Sequence, residues 1–125
     1  MQPKALTFSL LLIVLAAMTF ASANIARAAL EIVEDAFEVT PRQIEWPTYD
    51  QGRLVVRPCP GCEAVALTVN EQTGYYLGFG SPPLSRQELI SKATSGSNFE
   101  NSMVYLFFTP QDRQVTRVVL DLGPK

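Results

Sequence analysis

Short runs of alternating apolar residues, separated by turn-forming residues, are the feature that most constrains the fold of this chain. Successive side chains of a strand point to opposite faces, so apolar residues at every second position predict a strand with one buried face. Proline, glycine and asparagine between the runs predict turns. The predicted strands lie at residues 53–57, 63–69, 75–79, 103–108 and 115–122.

One segment carries the signals of a helix instead. Ser85 is a suitable N-cap, and Glu88 three residues later completes a capping box. Gly96 is a natural stop for this helix. The apolar residues of the segment fall on one stripe and are Leu89, Ile90 and Ala93.

Taken in order, these segments predict a β-β-β-α-β-β succession, and alternation at residues 37–39 allows one more short strand before it. This order is typical of the α+β class, with a small antiparallel sheet and one helix packed on one face. A small open barrel plugged by the helix has the same sequence pattern. Both architectures therefore stay open at this point.

The amino-terminal residues predict a cleavable secretory signal. Lys4 supplies a weak positive charge, residues 6–17 form an apolar segment, and Ala21-Ser22-Ala23 has the small residues of a cleavage site. Cleavage at a second such triplet, Ala26-Arg27-Ala28, is the alternative. An uncleaved anchor is disfavoured because alanine and serine dilute the end of the apolar segment.

The predicted organisation has three parts. Residues 1–23 form the signal peptide, with an alternative end at residue 28, and residues 24–50 form an acidic, partly flexible segment. Residues 51–125 form the small α+β domain. Once the signal is cleaved, no stable membrane span is expected, and the predicted location is the periplasm or the exterior of a bacterial cell.

Charge and composition exclude several classes of function. The chain has a formal net charge of −2 and lacks histidine. The slightly acidic balance argues against a nucleic-acid partner. The absence of histidine removes the histidine-dependent catalytic triads and every imidazole metal site. Two cysteines cannot form a four-thiolate zinc site within one chain. No catalytic residue, metal or cofactor is predicted, and a non-enzymatic role is favoured.

The Cys59-Pro60-Gly61-Cys62 element allows two interpretations. Proline fixes φ and glycine accepts a positive φ, so a disulfide that staples a hairpin turn is the favoured one in an oxidising compartment. The alternative is a thiol–disulfide redox pair with Cys59 as nucleophile and Cys62 as resolving thiol. Redox pairs of this type gain thiolate stability from a helix amino terminus, and residues after Cys62 alternate as a strand instead.

Aromatic residues on the predicted strands are too numerous to point into one small core. An exposed set could bind a peptide, a glycan or a protein, since aromatic rings bring large contact area at little entropic cost. For Tyr75 and Phe107, cross-strand packing under the helix is the favoured alternative. The predicted binding surface consists of Tyr75, Tyr76, Phe79, Tyr105 and Phe108.

Together these features predict an exported, non-enzymatic binding or accessory module with a Cys59–Cys62 staple. The expected partner is another envelope or secreted protein. The alternative function is thiol–disulfide exchange at the same cysteine pair.

Overall fold

A computed structural model describes residues 33–96 and 99–124. The predicted signal peptide, whether it ends at residue 23 or 28, lies outside the described residues. The described part of the chain forms one compact unit that begins at Val33.

This unit belongs to the α+β class, as the order of sequence segments predicted. Its eight strands are β1 (Asp35–Val39), β2 (Ile44–Glu45), β3 (Gly52–Val56), β4 (Val65–Val69), β5 (Gly74–Leu77), β6 (Pro83–Leu84), β7 (Met103–Thr109) and β8 (Gln114–Asp121). The α-helix of the described region, α1, covers Arg86–Thr94 between β6 and β7.

The helix begins at the predicted cap. The Ser85 hydroxyl accepts a hydrogen bond from the Glu88 amide at 3.2 Å, and the Glu88 carboxylate accepts one from the Ser85 amide at 3.1 Å. These reciprocal bonds satisfy two amides that the first turn leaves without intrahelical partners. Leu89 and Ala93 are fully buried and fix the helix on the core. Within the described ranges, no helix has the length and hydropathy needed to cross a membrane.

The sheet is open and mixed. Its strand order is β1-β7-β8-β4-β3-β2, and all neighbours in this order are antiparallel except β4 and β8. The outer edge of β8 is divided between two partners. Gln114 pairs with Thr68 of β4, whereas residues 117–120 pair with β5 in parallel.

The predicted antiparallel sheet is therefore corrected to a mixed one. Parallel strands need a long crossover connection, and β5 reaches β8 only after β6, α1 and β7. Alternation within each run predicts the strands but carries no information on this distant pairing.

The sheet also includes residues that the sequence placed in an acidic, partly flexible segment. β1 pairs with β7 along its whole length, and β2 pairs with β3. On β1, only Phe37 and Val39 turn toward the core, while Asp35, Ala36 and Glu38 are exposed. The folded unit thus starts well before residue 51. The sequence pattern did not indicate this, because an edge strand with only two inward side chains has a polar composition.

Candidate functional site

The sheet formed by β1, β7, β8 and β5 has two faces. One face carries the main core, with Val104, Leu106 and Phe108 of β7 buried. We call the opposite side the outer face. Its positions follow from the strand register and are Ala36, Glu38, Gly74, Tyr76, Met103, Tyr105, Phe107, Arg117, Val119 and Asp121.

The register places aromatic and charged residues of the outer face in two cross-strand rows. The first row reads Tyr76, Val119, Tyr105, Glu38, and the second reads Gly74, Arg117, Phe107, Ala36. Side chains directly opposite on neighbouring strands have Cβ atoms about 5 Å apart. Each aromatic ring of these rows is therefore a direct neighbour of an apolar or charged side chain on the next strand.

Phe79 covers this face from the loop after β5. Its ring meets Tyr105 edge to face, with centroids 5.0 Å apart, and lies 6.4 Å from the ring of Phe107. Gly78 and Gly80 on either side have φ angles of 85° and 76°, values that favour glycine. Phe79 itself is 58 % exposed. We call Phe79, Tyr105 and Phe107 the aromatic cluster.

A depression of ≈ 260 Å³ opens beside the aromatic cluster. Tyr76, Phe79, Arg117 and Val119 line it, and Val119 is only 2 % exposed although it does not belong to the main core. Tyr76 lies close over Gly74, where a Cβ atom would come within 2.6 Å of the ring. The absence of a side chain at Gly74 thus permits the position of the Tyr76 ring.

Charged groups border the aromatic cluster. The Arg117 guanidinium lies 4.0 Å above the ring centroid of Phe107 and donates a hydrogen bond to Glu34 at 3.1 Å. The Thr116 hydroxyl donates to the same carboxylate at 2.6 Å. Glu38 and Asp121 are exposed on the same face. The sequence did not indicate that Glu34, Glu38 and Arg117 lie beside the rings, since the strand register and the ion pair that place them there join distant segments.

The structure divides the five predicted surface residues. Tyr76, Phe79 and Tyr105 lie on the outer face, as described above. Tyr75 and Phe108 are 5 % and 9 % exposed and belong to the core. For Tyr75 this agrees with the core packing that the sequence favoured over exposure, whereas the assignment of Phe108 to an exposed surface is corrected. Phe108 stacks on Phe37 at a centroid distance of 5.1 Å.

The position of Phe107 differs from the prediction in the opposite direction. Packing under the helix was expected for it, but it lies on the outer face, where it contacts Phe79 and Arg117. Neighbouring residues of a strand point to opposite faces, so the inward position of Phe108 requires Phe107 to point outward.

Tyr75 lies close to Arg86 and to Asp50 of the loop at residues 46–51. Its hydroxyl is buried without a hydrogen-bond partner, and burial raises the pKa of Tyr75 to about 12. The nearby Arg86 side chain is 9 % exposed and donates to Asp50 at 2.9 Å and to the Pro47 carbonyl at 2.8 Å. Arg86 thereby ties the first turn of α1 to this loop.

The Cys59–Cys62 pair forms a disulfide, as the favoured interpretation predicted. It closes a turn in which the Cys62 amide donates to the Cys59 carbonyl at 3.1 Å and Gly61 has a φ of 79°. The turn lies in the connection between the antiparallel strands β3 and β4. Cys59 is exposed, and a depression of ≈ 500 Å³ beside the disulfide is lined by Arg42 and Arg57.

Within residues 33–96 and 99–124, no group of three or more cysteines and carboxylates is arranged to hold a metal ion. Comparison with protein-family models, with curated proteins and with solved structures gave no match. The outer face and the disulfide turn are therefore the two candidate sites in the described part of the chain.

Proposed function

We propose that this protein is an exported, non-enzymatic binding module that docks another envelope or secreted protein on its outer face. The observation that carries the proposal is the position of Phe79, which is 58 % exposed and rests on two further rings outside the main core. Rings placed in this way offer contact area without a large loss of side-chain entropy on binding.

The construction of the loop supports the same proposal. Phe79 lies between two glycines and keeps more than half of its surface exposed to water, so its side chain contributes less to the stability of the fold than a buried phenylalanine would. The same ring held over Tyr105 and Phe107 is already ordered for contact with a partner. A module of this kind needs no catalytic group, which agrees with a chain that contains no histidine.

Export is the second part of the proposal. The apolar leader with its Ala21-Ser22-Ala23 triplet supports secretion, and an exposed disulfide is stable in an oxidising compartment. Mass analysis of the protein recovered from its producing cells tests this part. We expect a mature terminus after Ala23 or after Ala28, and an intact leader on the recovered protein would contradict export by cleavage.

Site-directed photocross-linking in the producing cells tests the binding function. A photoreactive phenylalanine derivative at position 79 should give one discrete adduct, which is identified by mass spectrometry and then reconstituted from purified components. Position 49 is the matched control, because Tyr49 is 74 % exposed and lines a different depression, which is formed by residues within 45–55 and includes none of the outer-face residues. Equal adducts from positions 79 and 49, or none from position 79, would refute the proposal.

A second candidate function is thiol–disulfide exchange at Cys59 and Cys62. Two features favour it, namely the exposure of Cys59 and the positively charged residues Arg42 and Arg57 that line the depression beside the disulfide, although the Arg42 guanidinium is already paired with Glu100 at 3.0 Å. Against it, the disulfide closes a turn between strands and not the amino terminus of a helix. The reduction potential of the pair separates the two functions.

A further inference from the structure

We infer that the outer face binds a polypeptide segment that presents arginine or lysine side chains together with apolar side chains on one side. This inference rests on the proposed function and names the chemical class of its partner. It follows from the charges around the aromatic cluster, from the position of the Arg117 guanidinium over the Phe107 ring, and from the depression beside Phe79.

The first step is the charge of the outer face. Arg117 and Glu34 pair with each other at 3.1 Å, so their charges compensate. Glu38 and Asp121 remain, both exposed, and neither forms an ion pair within the part of the chain that the structure describes. The outer face thus presents an excess of negative charge beside its rings, which attracts a cationic partner.

The second step is the arrangement of rings and carboxylates. The faces of aromatic rings attract cations, and the Arg117 guanidinium at 4.0 Å above Phe107 is an intramolecular example. Tyr105 is directly opposite Glu38 in the strand register. A guanidinium placed over Tyr105 can therefore contact the ring and also donate hydrogen bonds to the Glu38 carboxylate.

The third step is the apolar component. The ≈ 260 Å³ depression between Tyr76 and Phe79 has the nearly buried Val119 at its base and is large enough for an aliphatic side chain. It adjoins the row that holds Tyr105 and Glu38. An apolar residue and a cationic residue two positions apart along an extended peptide point to the same side and would fill both positions.

The same charges disfavour other occupants of this face. A second copy docked face to face would carry the same excess of negative charge, and like charges at an interface are repulsive. Phosphate backbones and anionic lipid surfaces would also be repelled by these carboxylates. A cationic polypeptide is the partner whose charge complements the face.

The experiment uses three short peptides with blocked ends, titrated into the protein purified with its disulfide formed. On one side of the extended chain the peptides carry leucine and, two positions later, arginine, glutamine or glutamate, with serine in between, so they share apolar content and differ in charge. Dissociation constants and backbone amide NMR shifts are measured at low and high ionic strength. We expect the arginine peptide to bind most tightly, to shift the amides of Phe79, Tyr105 and Val119, and to bind more weakly in high salt.

Matched variants locate the interaction. Glu38→Gln and Asp121→Asn should each weaken binding of the arginine peptide by about threefold to fivefold, as expected for exposed charge pairs. Glu63→Gln is the control, because it removes the same charge from an exposed position in the loop before β4. Tyr105→Leu keeps an apolar side chain but removes the ring, so it should weaken the arginine peptide more than the glutamine peptide.

The possible outcomes separate this inference from the proposed function. Equal affinity for the arginine and glutamine peptides at the outer face would overturn the cationic partner and leave the binding function standing. Amide shifts on this face that depend on protein concentration alone would identify a second copy as the occupant and overturn the inference. If no peptide binds there, the inference also fails, and the cross-linking at position 79 decides the proposed function separately.

Discussion

Loss of the Cys59–Cys62 bond should lower the free energy of unfolding by about 2 kcal/mol. The bond closes a very small ring, with a sequence separation of 3. For a ring of this size, the loop-entropy relation gives about 2 kcal/mol from the restriction of the unfolded chain. This figure is an upper value, because Pro60 already restricts the unfolded segment and the Cys62 amide to Cys59 carbonyl bond can persist in the reduced protein.

The same quantity fixes a difference in reduction potential through a thermodynamic cycle. If the disulfide stabilises the fold by about 2 kcal/mol, the fold must stabilise the disulfide by the same amount. For a two-electron couple, about 30 mV corresponds to about 1.4 kcal/mol. The Cys59–Cys62 pair should therefore be about 40 mV more reducing in the folded protein than in the unfolded chain.

The assay equilibrates the protein with defined thiol buffers, with and without urea, and traps free thiols for mass analysis. Urea unfolding of the oxidised protein and of the Cys59→Ser, Cys62→Ser double variant gives the stability difference independently, and the two results should agree. A folded potential that is equal to or less negative than the unfolded one would refute the reasoning. Such a result would mean that the fold stabilises the dithiol, as expected of a thiol–disulfide exchange protein. A reduction potential of the folded protein below about −300 mV would indicate a structural disulfide.

Three further predictions concern buried and closely packed groups. Arg86→Met should lower the free energy of unfolding by about 1–3 kcal/mol in urea denaturation, because the buried Pro47 carbonyl loses its hydrogen-bond donor. Asp50→Asn should lower it by less, because the Asp50 carboxylate is 71 % exposed. Equal losses of stability in the two variants would contradict this account. Gly74→Ala should displace the Tyr76 ring, because its Cβ would lie 2.6 Å from that ring, and unchanged NMR shifts of the Tyr76 ring in the variant would contradict this. Tyr75→Phe should leave stability unchanged or raise it, because the hydroxyl has no partner. Since the pKa of Tyr75 is raised to about 12, this tyrosine ionises at a lower pH in the unfolded chain than in the folded protein. The contribution of Tyr75 to stability is therefore present below about pH 10 and is lost as the pH rises toward 12. Tyr75→Phe should remove this part of the alkaline loss of stability, and an unaltered dependence of stability on pH would contradict this account.

Features that depend on neighbouring residues could be predicted from the sequence. The helix start at Ser85 and the turn at Cys59–Cys62 are of this kind, since a capping box and a Cys-Pro-Gly-Cys element are complete within four residues. The strands were also predicted close to their observed bounds, as with residues 103–108 for a strand that covers Met103–Thr109. Alternation is a property of one strand and needs no knowledge of its partners.

Pairing between distant segments could not be predicted in this way. The parallel pairing of β5 with β8 joins segments about 40 residues apart, and no local pattern encodes it. β1 was underestimated for a related reason. Its polar residues Asp35 and Glu38 are tolerated because it lies at the edge of the sheet, where charged side chains also discourage pairing with other chains.

The choice of face in β7 explains the errors in the predicted binding surface. Residues 103–108 are apolar at every position, so alternation cannot tell which of Phe107 and Phe108 points inward. The structure settles this through β1, where Phe37 on the core side stacks on Phe108. Once that parity is fixed, Tyr105 and Phe107 must both point to the outer face, and Arg117 and Glu38 become their neighbours.

The outer face therefore contributes to folding as well as to the proposed binding, and the two roles must be separated residue by residue. Val119 is 2 % exposed on this face, so changes to the residues around it should reduce stability together with any binding. Phe79 is 58 % exposed and belongs to a loop, so its truncation removes little buried area. A Phe79→Ser variant that loses binding at an unchanged free energy of unfolding would assign the ring to recognition. A large loss of stability in that variant would assign it to covering Val119 instead.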